Sequence, residues 1–458
     1  MEVGTREEQL VGGLGGFLSE GSGEAVVVEG LARLSGGASR ETWAFDARSI
    51  DGTTRPMVLQ RERAGGGLAS RGMVLQAGLL RAASDAGVPV PGLVAVDPDG
   101  AALGAPSILM DRVEGETIAR RILRDDDYDT ARRLLVGQVG AALAAVHRID
   151  PDAVEGLDAS DQLQQMTDLL DLLGEPHPAF EIGLRRLRTT RPERGPSGVV
   201  HGDFRMGNLI VGPDGLRAVL DWELTHLGDP AEDLGWFCVR AWRFGAPLAA
   251  GGVGTVEDLV DAYLAAGGAP VTPDDVRWWE AFGTLRWGVI CIMQAATHLT
   301  GASRSVELAA IGRRVAENEE DLLELVAGPS DHEPRAAGAE SVDVGHMPHD
   351  RPTAVELLDA VGEYLVEVRD GVAGRLGFHA RVAANVVATV RREIELGPAQ
   401  AEAHRSRLAD LGVADDAALA SAIRSGAMDD RMDEVVVAVR ASVRDKLAVA
   451  NPGYWHRS

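Results

Sequence analysis

Residues 201–208 read His201-Gly-Asp-Phe-Arg-Met-Gly-Asn208, and Asp221-Trp-Glu223 follows. Asp203 is followed five residues on by Asn208, and a second aspartate, Asp221, comes thirteen residues later. Between them, apolar runs at 208–211 and 217–220 flank the turn Gly212-Pro-Asp-Gly215, which predicts a hairpin. The pattern therefore predicts a polar loop, a short hairpin and an acid just past a strand end.

These residue types suit phosphoryl transfer, in which the protein supplies positioning and electrostatics rather than covalent chemistry. A carboxylate such as Asp203 can orient the attacking hydroxyl and accept its proton, while Asn208 and Asp221 offer oxygen ligands for Mg²⁺. Protein kinases use the same arrangement in their His-Arg-Asp…Asn and Asp-Phe-Gly elements. A surface turn with unrelated acids is the alternative, and the agreement of spacing, residue type and flanking strands disfavours it.

The segment resembles the aminoglycoside phosphotransferase (choline kinase-like) family. The matching features are His-Gly-Asp at 201–203, Asp-Trp-Glu at 221–223 and the tail Gly228-Asp-Pro-Ala-Glu-Asp-Leu234. Residues 200–236 look most similar to the branch linked to acyl-CoA dehydrogenases, whose members are implicated in phosphorylating hydroxy-acyl compounds. The resemblance covers roughly residues 24–326.

This resemblance implies an α+β, protein-kinase-like fold with a strand-rich N-lobe and a helical C-lobe. It implies ATP and Mg²⁺ as the phosphoryl donor and metal, Asp203 as the base, and Asn208 and Asp221 as metal ligands. Asp229 and Asp233 would brace the catalytic loop, or they would cap a helix N-terminus.

The N-terminal part offers a nucleotide site that is similar to the family pattern. Gly36, Gly37 and Ser39 lie between two predicted strands, where glycines let the backbone approach phosphates and a serine can donate to them. A plain hairpin turn is the other interpretation of these glycines. The strand-like run Ser107–Val113 resembles the hinge, so backbone groups of Asp111 and Val113 would pair with the adenine edge.

The chain departs from its family at the phosphate clamp, because its only lysine is Lys446. Kinases pair a strand lysine with a helix glutamate. Alignment puts Gln60 at the lysine position and Gln76 at the glutamate position, so two amides that can hydrogen-bond each other replace an ion pair. Strand alternation offers another register, in which Leu59 faces adenine and Arg61 reaches the phosphates. Both registers stay open, with Arg61 the favoured cation.

Composition limits the possible partners. The formal charge of −25 argues against nucleic acid, because phosphate backbones require basic surfaces. The sequence contains no run of about 18 apolar residues, so a membrane span is not predicted. The first twenty residues lack the basic flank of a signal peptide, and the two cysteines lack metal-ligand spacing. We therefore expect a cytoplasmic protein without membrane or nucleic-acid partners.

Breaker-rich residues 328–352 predict a linker between two domains. Residues 1–327 are then the kinase domain, and residues 353–458 a helical bundle that resembles an uncharacterised domain found beside such kinases. Apolar residues recur every three or four positions in the bundle, and its last helix is predicted at about 432–450. This bundle is a candidate surface for a protein partner.

The sequence thus predicts a kinase that phosphorylates a hydroxyl of a small molecule: a hydroxy-acyl compound, an aminoglycoside-like compound or a choline-like alcohol. The alternative is a catalytically weak nucleotide-binding pseudokinase that presents the bundle to a partner. The missing lysine favours the alternative, whereas the intact set of Asp203, Asn208 and Asp221 disfavours it.

Overall fold

The computed structural model describes residues 6–34, 40–62, 70–193, 197–329 and 352–456. The chain forms two compact units. The first contains residues 1–160 and 193–276, and the second contains residues 161–192 and 277–458.

The first unit holds the nine strands of the described chain. They are β1 Val26–Arg33, β2 Arg40–Ser49, β3 Thr54–Glu62, β4 Leu93–Asp97, β5 Ser107–Asp111, β6 Gly198–Val200, β7 Leu209–Gly212, β8 Gly215–Val219 and β9 His226–Gly228. The first five form one antiparallel sheet in the order β1-β2-β3-β5-β4. The others form two antiparallel pairs, β6 with β9 and β7 with β8.

Helices make up most of the remainder of the described chain. They are α1 Arg6–Ser22, α2 Ser70–Asp85, α3 Ala119–Arg124, α4 Asp129–Val146, α5 Gln162–Leu173, α6 Pro178–Thr189, α7 Ala231–Cys238, α8 Val256–Ala265, α9 Pro273–Leu299, α10 Val306–Gly312, α11 Val315–Ala327, α12 Ala354–Gly371, α13 Gly374–Leu411, α14 Asp416–Ser425 and α15 Met432–Ala450. The predicted fold class, a strand-rich N-lobe with helical remainder, is confirmed.

One face of the large sheet packs on α1, which the sequence analysis did not predict. Leu10 and Leu14, one helical turn apart, lie in a buried cluster with Phe45, Met57 and Leu59. Side chains alternate along β3, so Gln60 lies on the other face of the sheet. Helix α2 contacts β4, β5 and the turn after Asp221.

The second unit has an apolar core built from segments far apart in sequence. Its members lie on α6, α11, α13, α14 and α15 and include Ala179, Ile182, Leu323, Leu408, Leu419, Ile423, Val435, Val439 and Leu447. Glu181 on α6 also forms an ion pair with Arg424 on α14. The domain boundary at 328–352 stays a prediction, because residues 330–351 lie outside the described part of the chain.

None of the helices that the structure describes combines the length and the apolar character that a membrane span requires.

Candidate active site

The loop between β6 and β7 carries the motif, and a glycine fixes its path. Gly202 has φ +78°, and a Cβ there would lie 2.3 Å from the carbonyl oxygen of Leu224. Only glycine fits such a close approach in the left-handed region. This requirement explains the middle residue of His-Gly-Asp.

His201 connects the loop to the strand end that carries the second acid. Its Nδ1 accepts the Asp203 amide at 3.2 Å, which makes Nε2 the protonated nitrogen that donates to the Leu220 carbonyl at 3.0 Å. Complete burial lowers the pKa of His201, although Asp233 and Asp203 oppose that shift. His201 is therefore a neutral structural link between the loop and the residue before Asp221.

The Asp203 carboxylate is held by three donors. Arg205 Nε lies 3.1 and 3.2 Å from its two oxygens, Asn208 Nδ2 donates to Oδ2 at 2.6 Å, and Trp236 Nε1 donates to Oδ1 at 2.9 Å. The Arg205 guanidinium also stacks over the Trp242 ring, 4.8 Å from its centroid. These contacts fix the direction of the carboxylate. Neither Arg205 nor Trp236 was predicted from the sequence, although Arg205 lies inside the motif.

Asp221 stands directly before a short helical turn, with φ +66°, a conformation that is uncommon outside glycine. Burial, together with the charges of Glu223 and Asp203, raises its pKa to about 6. A buried acid among other acids creates a negative site that a divalent cation can neutralise. Since the Asn208 amide nitrogen faces Asp203, its Oδ1 is the atom that can bind a metal.

The predicted ligands Asn208 and Asp221 therefore fit Mg²⁺ in chemical type, with one amide oxygen and one carboxylate. No cluster of three or more His, Cys, Asp and Glu side chains forms a metal site within the described residues. The predicted metal ligands are one amide, Asn208, and one carboxylate, Asp221, so they do not form a cluster of that kind.

Asp233 on α7 braces the loop from below. Its fully buried carboxylate accepts the backbone amides of His201 at 2.7 Å and Gly202 at 2.9 Å, and it lies 3.1 Å from His147 Nε2. His147 Nδ1 in turn lies 2.9 Å from the Tyr263 hydroxyl. Asp229 has a different contact, because its carboxylate accepts the Ala231 amide at 2.9 Å, at the first residue of α7. Of the two acids, Asp233 therefore supports the loop directly.

The two glutamines of the predicted clamp meet. Gln76 Nε2 on α2 donates to Gln60 Oε1 on β3 at 3.0 Å, as the amide-pair register predicts. Arg61 lies on the opposite face, 7% exposed, where its Nε is 3.7 Å from Glu41 Oε2. Leu59 is likewise buried against α1 rather than open to a nucleotide. This placement corrects the register in which Arg61 reaches the phosphates.

The other residues predicted to bind the nucleotide are Asp111 and Val113, together with Gly36, Gly37 and Ser39. The Asp111 backbone amide donates to the Gly92 carbonyl at 2.8 Å, and its side chain pairs with Arg55. An adenine edge would therefore use the Asp111 carbonyl, with Val113 two residues further along. Gly36, Gly37 and Ser39 lie outside the described residues.

Curated relatives align with parts of this chain. Acyl-CoA dehydrogenase family member 10 of Mus musculus is 28% identical over 251 residues, which cover 50% of this chain and 23% of the relative. Acyl-CoA dehydrogenase family member 11 of Pongo abelii is 26% identical over 197 residues, or 39% of this chain and 25% of the relative. The chain thus spans about a quarter of the length of these two relatives. The similarity to them confirms the predicted branch.

A solved structure shares the fold. A presumed aminoglycoside phosphotransferase from Ralstonia eutropha superposes with a TM-score of 0.54 at 23% identity, covering 69% of this chain and 98% of that one. Residues 370–454 match a domain of unknown function, DUF6285, as the resemblance to an uncharacterised helical domain predicted. Residues 30–279 match the model of the phosphotransferase enzyme family, more than half of the 458 residues. The chain belongs to the phosphotransferase enzyme family.

Proposed function

We propose that this chain transfers the γ-phosphoryl group of ATP to a hydroxyl of a small molecule, with Asp203 as the residue that receives the hydroxyl proton. The carrying observation is the Asp203 carboxylate, which Arg205, Asn208 and Trp236 hold in one orientation beside the acid Asp221. A fixed carboxylate next to a negative, metal-compatible pocket is the arrangement that phosphoryl transfer requires.

In the proposed step, the acceptor oxygen attacks the γ-phosphorus while the bond from that phosphorus to the bridging oxygen breaks. ADP leaves with the electron pair, and the acceptor proton passes to Asp203. Asn208 and Asp221 would hold Mg²⁺, which when bound neutralises charge on the phosphate oxygens. Because three donors fix the direction of the Asp203 carboxylate, orienting the hydroxyl is as important as accepting its proton.

Among acceptors, we favour a hydroxy-acyl compound over an aminoglycoside-like or choline-like alcohol. The support is the similarity to two acyl-CoA dehydrogenase family members, since the site residues themselves do not distinguish these acceptors. A protein partner for the C-terminal helices and a cytoplasmic location belong to the same proposal.

The test combines an acceptor panel with one substitution. The protein is incubated with ATP, Mg²⁺ and hydroxy-acyl-CoA, aminoglycoside or choline acceptors, and phosphorylated products are detected by mass. Asp203→Asn should slow transfer by about 10²- to 10⁴-fold, while ATP binding stays nearly intact. The matched control is Asp214→Asn, an exposed hairpin acid paired with Arg217.

Two outcomes would contradict the proposal. Retention of more than about a tenth of the rate in Asp203→Asn would remove Asp203 from its role. ATP binding without transfer to any acceptor would instead favour the nucleotide-binding pseudokinase, the alternative that the missing lysine suggests.

A further inference from the structure

The pair that replaces the kinase clamp carries no charge. Gln60 and Gln76 are hydrogen-bonded to each other, and neither can offset the negative charge of a triphosphate. The sole lysine, Lys446, belongs to the second unit, and Arg61 faces Glu41 on the other side of the sheet. A kinase with this uncharged pair therefore needs its phosphate cation from another residue.

Arg40, the first residue of β2, lies beside the glutamine pair. Its Nη1 donates to Gln76 Oε1, and its Nη2 lies 3.8 Å from Glu223 Oε2, two residues after Asp221. In the β2–β3 ladder, Arg40 is opposite Glu62 and Thr42 is opposite Gln60. The Arg40 side chain is 14% exposed, so it is held in place while retaining an open edge.

The contacts of Arg40 combine a neutral acceptor, Gln76, with one carboxylate, Glu223, at 3.8 Å. Gln76 gives its amide nitrogen to Gln60, which directs its oxygen at the guanidinium. Because this acceptor is neutral, it orients Arg40 without adding a further negative charge to that of Glu223, whereas a glutamate at position 76 would add one. The arginine also acts electrostatically on Asp221 and Glu62, where it favours the ionised acids.

Arg205, a further arginine near the catalytic loop, has a different task. Arg205 is bound to the Asp203 carboxylate and stacked on Trp242. A planar guanidinium such as that of Arg40 can bind two phosphate oxygens at once, which an ammonium cannot match in geometry.

We propose that Arg40 is the phosphate-binding cation of this site, positioned by Gln76 and Gln60 in place of the lysine–glutamate pair. The inference rests on the proposed function and names the residue that engages the nucleotide's phosphates.

The test compares three ligands by calorimetry in the presence of Mg²⁺: ATP, ADP and adenosine. Arg40→Met should weaken ATP binding by about 10- to 100-fold, because a charge-assisted contact is lost, and should leave adenosine binding unchanged. The matched control is Arg48→Met on the same strand, whose guanidinium pairs with Glu29 at the surface and which should bind all three ligands normally.

A second variant keeps the test decisive if Arg40→Met folds poorly. Gln76→Glu would give Arg40 a full counter-charge, so ATP affinity should fall several-fold while adenosine affinity holds. A purely structural pair would instead be strengthened, and ATP affinity would not change.

The outcomes separate this inference from the proposed function. Equal loss of ATP and adenosine affinity in Arg40→Met, or no loss of either, would overturn the role of Arg40 while the wild type still transfers phosphate. A wild-type protein that neither binds ATP nor transfers phosphate would overturn both.

Discussion

Replacing Asp233 with asparagine tests how the catalytic loop is held. The carboxylate accepts two backbone amides and lies against His147 Nε2, and its side chain is fully buried. Asparagine keeps the shape, but it has one acceptor oxygen. If that oxygen serves His201 and His147, the new amide nitrogen faces the Gly202 N–H, and two donors oppose each other.

The expected cost follows from these contacts. Charge-assisted bonds stabilise by about 1.5–3 kcal/mol against about 1 kcal/mol for neutral ones, and an unsatisfied buried donor costs about 1–3 kcal/mol. Asp233→Asn should therefore lower the free energy of unfolding by about 2–5 kcal/mol. It should also slow phosphoryl transfer, because the residues that direct Asp203 shift.

The pKa of Asp233 determines how the free energy of unfolding changes as the pH falls. Burial opposes ionisation of Asp233, yet His147, His201 and the loop amide hold its pKa below the ordinary 3.8. A depressed folded-state pKa contributes stability that is present above pH 3.8 and is lost as the pH falls through the lower value. The free energy of unfolding of Asp233→Asn should therefore fall less than that of the wild type as the pH is lowered below 3.8.

Urea denaturation at several pH values measures both effects, with Asp229→Asn as the matched control. Asp229 accepts the Ala231 amide at the first residue of α7, a bond that an asparagine oxygen can also accept, so its cost should be within about 0.5 kcal/mol. Equal unfolding free energies for the two variants would refute the assignment of Asp233 as the brace.

Two further predictions concern other charges. Asp221→Ala should make ATP affinity insensitive to Mg²⁺ in calorimetric titrations, and an unchanged Mg²⁺ enhancement would contradict its role as a ligand. Burial disfavours the Glu319 carboxylate, but Lys446 and His177 more than offset it and lower its pKa to about 2. Lys446→Gln should therefore cost about 1–3 kcal/mol of unfolding free energy at neutral pH, against near zero for the exposed Arg405→Gln, and equal costs would count against the pair.

Local sequence was sufficient to predict the loop, the hairpin and α15. The residues of the motif are close in sequence, and their spacing alone predicts a shared site around Asp203. The α15 prediction of about 432–450 matches Met432–Ala450, because apolar residues recur there at helical spacing and Asn451-Pro452-Gly453 follows.

The N-terminal clamp was harder because strand alternation leaves two registers open. Which face of β3 points to the site depends on what covers the other face, and that is α1, through Leu10 and Leu14. If α1 is left out of account, the alternation of side chains along β3 does not tell whether Arg61 or Gln60 faces the site. Once the helix covers the Leu59 face, only Gln60 remains beside α2.

Contacts between residues far apart in sequence could not be predicted from local sequence patterns either. Asp233 contacts His147, which lies 86 residues earlier in the chain, and Trp236 donates to Asp203 from 33 residues away. A buried charge must find a partner, but the sequence does not say which residue supplies it.

The apolar core of the second unit has a consequence for synthesis. Helix α6 contributes Ala179 and Ile182 to that core, whereas Val435, Val439 and Leu447 come from α15. At about 5–20 residues per second, a ribosome needs roughly 12 to 50 seconds to make the intervening chain. During that interval the apolar side of α6 lacks its final partner and is a site where a chaperone would bind. Completion of this unit must therefore wait for release of the last helix.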